Sequence, residues 1–262
     1  MNSERVLPGC QTCPAANQGA LKRLGIKTDE WDYLIALAGN PNTGKSTVFN
    51  ALTGLRQHVG NWPGKTVARV EGGYSYNGFT WKLIDLPGMY SLLSTSTDEE
   101  IARDFILFGQ PTVTVVVIDA TRLERNLNLA LQILEITDRV VVALNLMDEA
   151  DRYGLRIDVR HLARKLGVPV VPLVARKRQG IPELLESIKQ VARGEYPLQP
   201  HRVRQRDSAI EASIDELARM IADLYPDLPN VRWVALRLLD GDASIIQALR
   251  DGTPGDLNRG AA

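Results

Sequence analysis

One octapeptide limits the folds open to this chain more than any other feature. Gly39-Asn40-Pro41-Asn42-Thr43-Gly44-Lys45-Ser46 fits G-x-x-x-x-G-K-[S/T], between an apolar stretch at Leu34–Ala38 and an amphipathic one at Lys45–Thr53. Such a loop needs a strand before it and a helix after it. Glycines let the backbone wrap a phosphate, and the N–H groups of the loop and of the helix N-terminus point at it. Lys45 then reaches the β- and γ-phosphates, while the Ser46 hydroxyl meets Mg²⁺. The motif alone does not choose between ATP and GTP.

The surrounding pattern supplies the fold. Val67–Tyr74 and Phe79–Ile84 flank Asn77-Gly78 and read as a β-hairpin, because Asn-Gly suits the positive-φ positions of a tight turn. Predicted strands at Val113–Ile118, Val140–Leu144 and Val170–Val174 alternate with predicted helices at Asp98–Phe108, Leu127–Ile136, Val159–Leu166 and Pro182–Val191. This alternation predicts an α/β chain: a P-loop GTPase fold with a mainly parallel sheet, one antiparallel edge strand and helices on both faces. Residues 1–30 read as an N-terminal extension with at most a short helix around Ala20–Leu24. Residues 31–196 read as the G domain, closed by a linker at Gly194–Pro200. Residues 204–253 read as a small all-α helical domain, where Ile210, Ile214, Leu217, Ile221 and Leu224 form an apolar packing stripe; 254–262 read as a tail.

Three further motifs fall at predicted strand ends. Asp85-Leu86-Pro87-Gly88 places a carboxylate where it can hold Mg²⁺ and a Gly88 N–H where it can sense a γ-phosphate. Thr66 lies in the glycine-rich loop Gly60–Thr66, and a hydroxyl there can complete the Mg²⁺ shell when GTP is bound and leave it after hydrolysis. In Asn145-Leu146-Met147-Asp148 the Asp carboxylate accepts from guanine N1–H and the 2-amino group, which adenine cannot supply. The loop Val174-Ala175-Arg176 then offers the Ala175 N–H to guanine O6, but Val174 brings no hydroxyl to brace it. Weaker base selectivity and measurable ATP binding or hydrolysis are expected from that loss.

Candidate nucleotide contacts therefore run through Gly39, Asn40, Pro41, Asn42, Thr43, Gly44, Lys45, Ser46 and Thr47, then Gly64, Lys65, Thr66 and Val67. They continue through Asp85, Leu86, Pro87 and Gly88, then Asn145, Leu146, Met147 and Asp148, and end at Val174, Ala175 and Arg176. Lys45, Thr66 and Gly88 act on the transferred phosphate, and Ser46, Thr66 and Asp85 are the Mg²⁺ ligands. Met89 follows Gly88 and cannot orient water as a Gln does, and no arginine is placed as a finger, so slow turnover is expected.

Composition removes other classes. Thirty-one Lys plus Arg balance 31 Asp plus Glu in 262 residues, so no general attraction to nucleic acid or anionic lipid is expected. The run Arg176-Lys177-Arg178 reads as a solvated loop face. No stretch approaches the roughly 20 apolar residues that cross a bilayer, and no apolar signal core opens the chain, which reads as soluble. Cys10 and Cys13 supply at most half of a four-ligand metal site and read as thiols with no role in this chain.

The chain resembles the cytosolic N-terminal domain of FeoB-type bacterial ferrous-iron transporters. The resemblance is carried by Leu37–Ser46, Val59-Gly60-Asn61-Trp62-Pro63-Gly64, Asp85–Leu92, Asn145–Ala150 and Arg232–Asp242, within residues 33–245. It implies that the C-terminal helices link the GTPase to an iron-conducting membrane permease domain of the same full-length protein, at the inner face of the bacterial cell membrane. It also implies a K⁺-stimulated GTPase in which Asn42 is catalytic and ligates K⁺ together with carbonyls near Gly60 and Trp62. K⁺ at the β/γ bridge would supply the positive charge that a finger arginine supplies elsewhere. Two other outputs share these motifs: a soluble assembly or RNA-modification GTPase, and a nucleotide-dependent docking module with negligible hydrolysis.

Overall fold

Alternate side chains along each central strand enter different cores, and this period of two decides where every helix goes. The computed structural model describes residues 21–22, 24–27, 31–54, 57–93, 96–202, 207–226 and 228–250. Cys10, Cys13 and the 254–262 segment lie outside them. The first half of the chain runs β1 (Tyr33–Gly39), α1 (Lys45–Thr53), β2 (Gln57–Asn61), β3 (Ala68–Tyr76), β4 (Phe79–Asp85), α2 (Thr97–Leu107) and β5 (Val113–Asp119). It continues through α3 (Leu123–Ile136), β6 (Val140–Asn145), α4 (Met147–Arg152), α5 (Val159–Leu166), β7 (Val170–Pro172) and α6 (Ile181–Ala192). Helices α7 (Ser208–Leu224), α8 (Val231–Leu239) and α9 (Ala243–Arg250) follow. No helix among the described residues is long and apolar enough to cross a membrane.

The sheet order is β2-β3-β4-β1-β5-β6-β7. The strands from β4 to β7 pair in parallel, as the alternation predicts. The antiparallel edge holds one strand more than the sequence pattern indicates. Gly60 and Asn61, expected in a loop, lie in β2 opposite Arg69 and Ala68. Gln57–Asn61 lacks a buried alternate face, so backbone pairing with β3 alone makes it a strand.

Leu34, Ala36, Val116, Ile118, Val142 and Leu144 face one core, with α2, α3 and α5. Ile35, Leu37, Val115, Val117, Val141 and Ala143 face the other, with α1 and α6. The C-terminal helices do not build a separate interior. Ile214, Ile221, Trp233, Val234 and Ile245 belong to the same apolar cluster as Phe105, Leu134 and Ile136. The expected stripe on α7 is buried at Ile214 and Ile221 but exposed at its ends, Ile210 and Leu224.

A charged network crosses that junction. Arg103 of α2 is buried, donates to Ser244 Oγ at 2.5 Å and Asp104 Oδ1 at 2.7 Å, and lies 3.9 Å from Asp242. Asp242 accepts from the Ser244 and Ile245 N–H groups at 3.1 and 3.3 Å, opening α9, and from Arg237 Nη2 at 2.8 Å. Burial pushes the Asp242 carboxyl up, but hydrogen bonds from Ser244, Arg237 and the Ile245 N–H outweigh it and bring it down to about 2. A carboxylate depressed in the fold stabilises it above the ordinary value, roughly 4, and that contribution is lost as pH falls towards the folded value. Asp242→Ala is therefore expected to lower unfolding free energy at pH 7 by about 3 kcal/mol, because Arg103 and Arg237 lose their buried partner. Urea unfolding should show this gap narrowing as pH drops from about 4 towards about 2; a gap independent of pH would contradict the charged role of Asp242.

Candidate functional site

The phosphate-loop residues form a tight turn between β1 and α1. Gly44 has φ +80°, and a Cβ there would collide with the Asn145 side chain, so this position requires glycine twice over. Asn42 is also left-handed, at φ 65°. Thr43 Oγ1 donates to Asn40 O at 2.9 Å and closes the turn. Helix α1 starts with no side-chain cap and no acidic residue in its first turn. Helix α2, by contrast, is capped by Ser96 and carries Asp98, Glu99 and Glu100 in its first turn. The α1 end, with Lys45, Ser46 and Thr47, is thus left to attract an anion.

The Asp85–Gly88 loop lies against this turn. Leu86 N donates to Leu37 O at 3.0 Å, Met89 N donates to Gly39 O at 3.2 Å, and Gly88 packs on Pro41. Lys45 Nζ donates to Asp85 Oδ1 and, at 2.7 Å, to Leu86 O. Burial pushes the Asp85 carboxyl up, partly opposed by the Lys45 ammonium. Ser46, the residue after Lys45, and Asp85, its partner, carry a hydroxyl and a carboxylate, a donor set whose chemistry suits Mg²⁺. Met89 is buried and does not face the phosphate turn with a polar group.

The base-reading motif is tied to the same turn through Asn145. Its Nδ2 donates to Thr43 O at 3.0 Å and its Oδ1 accepts from Ala175 N at 3.1 Å. Leu146 is left-handed at φ 64°, and Met147 N donates to Leu173 O at 3.2 Å, which sets Asp148 in the first turn of α4. Asp148 Oδ2 accepts from Arg176 Nη2 at 2.6 Å and lies 3.3 Å from Lys177 Nζ. The Arg176 hydrogen bond is the largest cause of a carboxyl held below the usual range.

Two sequence expectations meet protein partners here. The Ala175 N–H, expected to donate to guanine O6, is already bonded to Asn145. Arg176-Lys177-Arg178 is not a merely solvated face: two members hold Asp148, and Arg178 donates to Ala51 O at 2.9 Å. The loop after β7 is also braced without a hydroxyl at Val174. Val174 and Gln179 exchange backbone bonds at 3.1 and 3.3 Å, which tie the loop where Val174 brings no hydroxyl.

The glycine-rich loop is folded inward at one residue. Trp62 is buried edge-on to Phe105, with ring centroids 5.6 Å apart, and beneath the Arg69 guanidinium. Its backbone N–H donates to Val67 O and its backbone O accepts from Lys65 N, both at 3.0 Å, closing Gly64, Lys65, Thr66 and Val67 into a turn. Thr66 is exposed on that turn, and among the described residues no hydrogen bond brings it to Ser46 or Asp85. Of the carbonyls expected for K⁺, Gly60 lies in β2 and the Trp62 carbonyl accepts from Lys65 N. Sequence reasoning missed the Asn145 bridge and the Lys177 and Arg178 contacts. A basic triplet directly after a predicted sixth strand was the available signal.

Comparisons with known proteins identify the family of both parts of the chain. The family model for ferrous iron transport protein B matches residues 33–188, and that for the FeoB cytosolic helical domain matches 207–259. The Fe(2+) transporter FeoB of Escherichia coli K12 is 42% identical over 212 residues, covering 79% of this chain and 27% of the relative. The chain thus spans about a quarter of the length of the curated relatives it matches. The cytosolic domain of L. pneumophila FeoB superimposes with TM-score 0.75 at 35% identity, covering 86% of this chain and 88% of that one. The T. maritima FeoB cytosolic domain in GDP form I gives TM-score 0.75 at 38% identity, covering 86% and 85%.

Asn145→Ala should cost about 2 kcal/mol, since Thr43 O and Ala175 N each lose a buried partner. The urea midpoint reads this. An unchanged midpoint would mean that the two loops hold themselves.

Proposed function

The chain belongs to the ferrous iron transport protein B family, of which it carries the G domain and the cytosolic helical domain, and on that premise we propose that it binds GDP and GTP with Mg²⁺ and hydrolyses GTP slowly. The observation that carries this reading is the pairing of an uncapped, acid-free helix start at Gly44–Thr47 with the Asp148 carboxylate, joined through Asn145. The T. maritima relative is described in a GDP form, which supports the same ligand class.

In this reading the α1 N–H groups and Lys45 hold the β- and γ-phosphates, and Lys45 exchanges Asp85 for phosphate oxygen. Ser46 and Asp85 would hold Mg²⁺, joined by Thr66 once its turn opens. The bound metal would neutralise charge developing on the phosphate oxygens. The Gly88 N–H senses the γ-phosphate from its place against Pro41. Asp148 selects the base, and GTP is favoured over ATP because the loop at Val174–Gln179 is braced. Asn42 is the residue through which K⁺ would act, and the Gly60–Trp62 backbone has to leave its present hydrogen bonds to join it. Regulation of ferrous iron uptake through a membrane permease part of the same polypeptide is the proposed output, placed at the inner face of the membrane.

Titration with GDP, GTP and ATP in K⁺ and in Na⁺, with Mg²⁺ present, tests this. Saturable GDP and GTP binding is expected, and Asp148→Ala should weaken GDP by at least about tenfold through loss of a charge-assisted hydrogen bond. GTP turnover should rise in K⁺, and Asn42→Ala should remove the rise. No affinity for either guanine nucleotide would sink the proposal.

A further inference from the structure

Guanine meets a carboxylate through N1–H and the 2-amino group, two parallel donors on one planar carbon. That edge is itself a guanidine fragment, the same donor fork that an arginine side chain presents. In this structure Asp148 Oδ2 already accepts from one arm of such a fork, Arg176 Nη2 at 2.6 Å, with Lys177 Nζ at 3.3 Å. The other arm, Nη1, lies 3.8 Å from Glu149 Oε1, and Asp148 Oδ1 has no hydrogen-bond partner among the described residues. The backbone that carries Arg176 is fixed on both sides. Ala175 N is bonded to Asn145, Val174 pairs with Gln179 in both directions, and Arg178 holds Ala51 O. Arg176 is therefore delivered to Asp148 by a braced loop.

We infer that Arg176 is a specificity-determining residue that narrows the site's preference for guanine over adenine. The inference rests on the guanine-nucleotide reading above and acts at the same carboxylate. Guanine must displace or share a donor that Asp148 already has, so its apparent affinity is reduced by the fraction of protein in which the pair is closed. Adenine brings no donor to that edge, and a site that rejects it relies on leaving the carboxylate unpaired. Here Arg176 keeps Oδ2 paired when adenine is present, while the buried Oδ1 has no hydrogen-bond partner among the described residues, so the rejection is weakened but not removed. Both effects compress the same ratio.

The expected size follows from exposure. Arg176 and Lys177 side chains are 47% and 52% exposed, and ion pairs in such settings alter an equilibrium by up to about fivefold. The half-exposed positions also make Arg176→Ala and the double variant Arg176→Ala/Lys177→Ala safe for folding. Displacement of a fluorescent GDP analogue by GDP and by ADP, with Mg²⁺ and the full chain, reads the ratio directly. In Arg176→Ala, GDP should tighten by about two- to fivefold while ADP stays unchanged or weakens, and the double variant should move the ratio further. An unchanged or lower GDP-to-ADP preference, with normal wild-type binding, overturns this inference alone. Weaker GDP binding in Arg176→Ala would do so by placing the guanidinium on the bound base. Absence of GDP binding by the wild-type chain overturns the guanine-nucleotide reading and this inference together.

Discussion

Asn145 uses both arms of its amide on backbone: one on Thr43 of the phosphate turn, the other on Ala175 of the loop after β7. A nucleotide is recognised at two ends that differ in chemistry, and a rigid distance between those ends is what makes one ligand fit both. Neither loop has that distance in its own sequence. The parallel neighbours β1, β5, β6 and β7 bring the loop starts to one edge of the sheet, as open α/β sheets do for their ligands. The amide then sets the last few ångströms. Gly44 must be glycine because Asn145 crosses the place where its Cβ would stand.

The charged groups of the site hold one another. Lys45 is paired with Asp85 and Arg176 with Asp148. A buried or half-buried charge without a partner is costly, so each side chain fitted to a ligand of opposite charge finds a protein group of that charge. On the proposed reading, binding at this site is an exchange of partners. The energy gained is the difference between two sets of contacts rather than the sum of one set.

The junction with the C-terminal helices follows another logic. Those helices share an apolar cluster with α2 and α3, and buried Arg103 reaches from α2 to the start of α9. Helix α2 is the next helix after the Asp85–Gly88 loop in the chain, starting at Thr97.

Much of this was legible locally. The phosphate turn, the strand and helix alternation, the Asn77-Gly78 hairpin and the placing of Asp148 after β6 all depend on residues near one another in the chain, where backbone sterics and apolar periodicity act. The stripe on α7 was legible for the same reason. What stayed hidden depends on approach through space. β2 is a strand because β3 passes beside it, not because Gln57–Asn61 has a strand pattern. Trp62 turns inward because Phe105 is there to receive it. Arg176 looked like a solvated charge until the fold brought Asp148, 28 residues away, within 2.6 Å, and Arg103 finds Ser244 across 141 residues. A side chain's neighbours in sequence set its conformation, but its charge and hydrogen-bonding groups answer to whatever the folded chain places opposite them.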